Sequence, residues 1–82
     1  MEVFTREQFP QNWAMTQNNL GIALRVQAER SEGADAVRLL REAAAAHRAA
    51  LEIWTPNEFP HYHDLATTNL ANAEEALFRL QP

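Results

Sequence analysis

The chain has 82 residues, 46% of them hydrophobic, and a formal net charge of -4, enough for one small domain. All seven of its basic side chains are arginine and the acids outnumber them, which argues against a phosphate-backbone binder and its basic excess. Without cysteine there is no disulfide framework or thiolate metal site, and the longest apolar run, Ala43–Ala46, is far too short to span a bilayer.

In chain order, the opening MEVFTREQFP carries an acid and no apolar segment, so it is not a secretory leader, and a soluble, cytoplasmic protein is expected. A first helix is predicted over about 12–30, where Trp13, Leu20, Leu24 and Ala28 recur at helical spacing. Either Pro10, as a first-turn proline, or Asn12, as an amide cap, opens it. Ser31-Glu32-Gly33-Ala34 breaks the pattern, with Gly33 at the flexible or left-handed position. A second helix is predicted over about 35–54, with Asp35 as its N-cap and a buried stripe of Val37, Leu40, Ala44, His47, Leu51 and Trp54. Pro56 ends it, because proline lacks a donor and disfavours helix at the residue before it. A third helix is predicted over about 60–80, and no segment alternates with the period of a strand.

The chain also repeats itself. Shifted by fifty residues, EVFTREQFP (2–10) lies over EIWTPNEFP (52–60), and TQNNLGIAL (16–24) over ATTNLANAE (66–74). Seven of the 32 overlapping pairs are identical: Glu2/Glu52, Thr5/Thr55, Phe9/Phe59, Pro10/Pro60, Asn19/Asn69, Leu20/Leu70 and Ala23/Ala73. Ordinary residue frequencies give about two. Val3/Ile53 and Phe4/Trp54 are conservative matches. The chain therefore reads as about one and a half copies of one unit, starting in the tail of a previous copy. Gly21 and Ala23, with Ala43, Ala46 and Ala50, are the small residues that would let helices approach closely. The expected architecture is all-α: a single domain over 1–82, an antiparallel hairpin plus a third helix, stacked as a fragment of an α-solenoid.

The run Asn19-Leu20-Gly21 followed by Leu24 resembles the first-helix signature of tetratricopeptide repeats. Ala43, His47 and Ala50-Leu51 resemble the second-helix pattern, with Pro56 near the closing proline. The length of the unit is similar to the bacterial type of about fifty residues. The resemblance covers the chain from Glu2 to about Leu77. His47 departs from it where an aromatic residue is usual, and so do Ala71, in place of the glycine, and Glu74, in place of Leu24. With Glu75 beside it, Glu74 suits a face that meets water, so the third helix reads as a solvating cap.

The resemblance implies that the first helix of each unit lines a concave surface that takes an extended peptide or a partner helix. Mapped by helical spacing, that face comprises Met15, Asn19, Ile22 and Val26, with Arg25 nearby, then Leu65, Asn69, Asn72 and Ala76. Amides carry donors and acceptors and can satisfy a peptide backbone without desolvating a charge. Asn19 and Asn69 either do this or bond a neighbouring turn or helix end. With no lysine in the chain, a carboxylate clamp is not expected.

His61, His63 and Asp64 are the only cluster of metal-ligand types, but two histidines two residues apart diverge on a helix, so no metal or other cofactor is expected. Neither a phosphate loop nor a nucleophile motif is present, and the chain is not expected to be an enzyme. A protein–protein interaction module is expected, one that also self-associates as a homodimer, through the Met15, Ile22 and Val26 strip or the Leu77–Leu80 end or by helix exchange. The alternatives are a purely structural oligomerisation unit and a small metal-dependent enzyme built on the histidine cluster.

Overall fold

A computed structural model describes residues 5–80. It contains three helices, α1 (Pro10–Glu29), α2 (Gly33–Ile53) and α3 (Pro60–Leu80), and no strand among the described residues. Pro10 stands in the first turn of α1, which resolves the choice between Pro10 and Asn12 in favour of proline, whose missing N–H costs nothing there. Helix α2 starts earlier than expected. Glu32 occupies its N-cap in an extended conformation with no side-chain cap bond, so Asp35 is not the cap. Asp35 lies instead in the first turn, where its charge suits the positive end of the helix dipole. Gly33 takes the left-handed conformation expected of it, with φ 60°. Ser31 closes the turn, its N–H bonding Ala28 O at 3.0 Å and its hydroxyl donating to Gln27 O at 3.0 Å.

The repeat seen in the sequence recurs in the hydrogen bonding of the turns. Phe9 N–H donates to Thr5 O at 2.9 Å, and Phe59 N–H to Thr55 O at 2.9 Å. Gln8 N–H reaches Thr5 Oγ1 at 3.2 Å, as Glu58 N–H reaches Thr55 Oγ1 at 3.4 Å. Trp13 and His63 then bond the carbonyls of Phe9 and Phe59 in the same way. The pairs involving Glu2, Val3 and Phe4 lie outside the described residues.

Helix α2 is the central element and packs against both others. At one end of the molecule Ala14, Ala50, Trp54 and Ala66 form a buried cluster; in the middle are Ala43, Ala44 and Ala73; at the other end are Ala28, Leu39 and Leu40. These pairings run α2 antiparallel to both α1 and α3. The three helices make a slab of 39 × 29 × 14 Å. Most of the fully enclosed apolar residues are alanines. Small side chains bring helix backbones close together, so dispersion contacts between backbones contribute more of the packing than bulky side chains do.

The stripe expected on α1 holds at Ala28, which is buried, and at Trp13 and Leu24, half-buried against the core, but fails at Leu20. Leu20 is 47% exposed and Ala23 is exposed, while Ala14, Asn18, Gly21 and Ala28 are buried. The stripe on α2 holds: Leu40, Ala44, His47 and Trp54 are buried, with Val37 and Leu51 half-buried beside them. Glu74 faces solvent as expected and pairs with Arg48 at 2.8 Å, and the Arg38–Glu42 pair forms at 3.4 Å.

Candidate functional site: a polar node and the groove beside it

Asn18, enclosed by α2 and α3, accepts two hydrogen bonds at one oxygen. Asn69 Nδ2 donates to Asn18 Oδ1 at 3.2 Å, and His47 Nδ1 lies 2.8 Å from the same atom. An amide oxygen only accepts, so Nδ1 of the neutral ring carries the proton and Nε2 carries none. All three helices thus meet at one side-chain oxygen. His47 Nε2 is buried without a hydrogen-bond partner, and the ring lies against Gly21, where an added Cβ would come within 2.5 Å of Nε2. Burial, and then the positive charge of Arg25, push the His47 pKa below 6.5.

On one side of this node an open groove of about 720 Å³ runs between α1 and α3. Ala28, Ala36, Leu40 and Ala76 form its apolar floor, and Arg25, Glu29, Asn72, Glu75 and Arg79 stand along its walls. Arg25 Nη1 pairs with Glu29 at 3.2 Å, while Arg25 Nε is buried with no partner. Arg79 is held by Glu75 at 2.6 Å. Chemically, the groove offers apolar contact below, an exposed amide on one wall and a glutamate-paired guanidinium on the other.

The chain matches no family model, no curated protein and no solved structure.

Of the residues singled out in the sequence, Arg25 and Asn72 line the groove, with Ala76 in its floor. Asn69 joins the buried node. Asn19, its counterpart in the repeat, is exposed, because among the described residues no helix covers the side of α1 that corresponds to the one α3 turns toward α1 and α2. Met15 is half-buried against the Ala14–Trp54 cluster, Ile22 is half-buried, and Val26 and Leu65 are largely exposed. The predicted face therefore divides between groove, node and open surface.

Asn18 was missed, along with Glu29, Glu75 and Arg79. The signal for Asn18 was its place among Ala14, Gly21 and Ala28, a small-residue stripe one helical position away from the leucines.

At the start of α3 the histidines separate. His63 Nδ1–H donates to Trp54 O at 3.1 Å, closing the end of α2, and His61 meets Tyr62 edge-on at 5.7 Å. Among the described residues no group of three or more His, Asp or Glu side chains stands close enough to hold a metal ion. No helix of the structure is long and apolar enough to cross a membrane.

Proposed function

We propose that this chain is a helical-repeat interaction module of tetratricopeptide type, which receives a peptide or partner helix in the groove between α1 and α3. The observation that carries the proposal is the juxtaposition, across an alanine-rich floor, of the half-buried Arg25 guanidinium, paired with Glu29, and the exposed Asn72 amide. A peptide backbone supplies carbonyls for the guanidinium donor and both kinds of partner for the amide. Glu29, Glu32 and Glu75 outnumber Arg25 and Arg79 around the groove, which favours an apolar segment with a flanking basic residue over a carboxylate-led one. Helices α1 and α3 act as the repeated first helices of two successive units, with α3 as the solvated cap. The role is binding, not catalysis, in the cytoplasm, with protein partners and no nucleic acid.

The test is selection from a random peptide library, followed by NMR titration of the full chain with a selected peptide. Shifts at Arg25, Asn72 and Ala76, and loss of binding in Asn72→Arg, are the expected result. Failure to select any binder, or shifts confined to another face, overturns the proposal.

Self-association is the second reading, favoured by Phe78, 81% exposed, beside Leu80 at the end of α3. Light scattering across a dilution series tests it. A dimer that Phe78→Glu dissociates supports it, and a monomer at every concentration rejects it.

A further inference from the structure

The positions shared by α1 and α3 have opposite surroundings. On α3, Ala66 and Ala73 are fully buried, Asn69 bonds Asn18, and Leu70 packs on Ala43, Ala44 and Ala73. Fifty residues earlier, Thr16, Asn19, Leu20 and Ala23 are all exposed. Asn19, Leu20 and Ala23 are three of the seven identities of the repeat. They are thus the same residues that α3 uses to seat itself on the α1–α2 hairpin, here with nothing seated against them among the described residues.

We infer that this face of α1 is a stacking surface for a preceding helical hairpin of the same repeat, with Leu20 entering between the alanines of an α2-type helix as Leu70 does between α2's own.

Three observations fix the occupant. The template is the α2–α3 interface inside this chain, so the partner that fits is a hairpin of α1–α2 kind. A second groove of about 370 Å³ lies beside Leu20, lined also by Gln17, Leu24, Glu42, Ala45 and Ala46 and by no residue of α3. It is apolar along its floor and sits where a preceding α2-type helix would touch both α1 and α2. The sequence before α1, Glu2-Val3-Phe4-Thr5, echoes Glu52-Ile53-Trp54-Thr55, the end of α2 and its turn. A second copy of this chain does not serve, because the matching side of its α2 is covered by its own α3.

The surface is directional. The positions through which α1 packs on α2, Asn18, Gly21, Leu24 and Ala28, become Thr68, Ala71, Glu74 and Phe78 on α3. A threonine and an ion-paired glutamate there suit solvent, so stacking is expected ahead of α1 and not after α3.

The experiment inserts a duplicate of residues 5–54 between Trp54 and Thr55, which keeps the whole chain and reproduces the existing Trp54–Thr55 joint at each new boundary. The extended protein is expected to unfold in a single thermal transition at a higher Tm than the parent. Leu20→Glu in the internal copy should abolish that rise, while the same substitution in the parent chain leaves Tm nearly unchanged. Two separate transitions, an unchanged Tm, failure of the extended chain to fold, or an equal effect of Leu20→Glu in both settings would each overturn the inference.

Discussion

Asn18 on α1 and His47 on α2 meet at 2.8 Å inside an interface rich in alanine, and Asn69 of α3 completes the contact at 3.2 Å. A buried hydrogen bond contributes modestly by its presence, but removal of one partner strands the other in an apolar setting. Asn18→Ala leaves the His47 Nδ1–H without its acceptor and is expected to cost about 1–3 kcal/mol in urea unfolding. Asn18→Ala with His47→Leu should recover part of that loss. A single-variant cost below about 0.5 kcal/mol would show that the node does not hold the helices together.

Gly21 is required by the same ring. A Cβ at this position would lie 2.5 Å from His47 Cε1 and Nε2, too close without a shift of α1 or of the ring. Although alanine favours helix, Gly21→Ala is expected to destabilise by about 1–3 kcal/mol through overpacking. In a His47→Ala background the sign should reverse, because the obstacle is gone. Thermal melts of the four proteins in this cycle check both statements.

The stability of the protein should depend on pH through His47. Its folded-state pKa is depressed, first by burial and then by Arg25, so the unfolded chain takes up a proton at a pH where the folded chain does not. The contribution is therefore complete above about pH 6.5 and is lost as pH falls toward the folded-state value, with a slope of up to about 1.4 kcal/mol per pH unit. Denaturant melts between pH 7.5 and 5 should show this decline, and His47→Gln should flatten it. An identical slope in the variant would assign the effect to another group.

Trp54 is fully enclosed at the end of α2 and stacks on Tyr62, with ring centroids 4.8 Å apart. Its Nε1 has no hydrogen-bond partner, so the ring contributes as apolar bulk. Trp54→Ala is expected to cost about 3–5 kcal/mol, enough to unfold much of so small a domain, and Trp54→Phe considerably less. Circular dichroism at 25 °C distinguishes the two. Equal losses would mean that the indole nitrogen matters after all.

Most of the helix limits were legible because local chemistry sets them. Pro10, Gly33, Pro56 and Pro60 act on their own backbone whatever packs around them. The start of α2 was misplaced because Asp35 is a good cap in isolation, whereas the turn at Ser31 and the left-handed Gly33 begin the helix earlier. On the candidate site, Arg25 and Asn72 line one groove, while the recurrent amides part, Asn69 joining the buried node and Asn19 staying exposed.

The sequence by itself determined three helices, the fifty-residue echo and its matching turns, since proline, glycine and helical periodicity are properties of short stretches of chain. Tertiary structure alone decided which side of α1 is inside. Leucine buries more apolar area than alanine, so a reading by bulk turns Leu20 inward. Here α1 and α2 approach closely along Ala14, Gly21 and Ala28, which leaves no room for Leu20 and draws Asn18 in to meet His47. Packing distance is a property of two helices at once, and neither helix's pattern contains it.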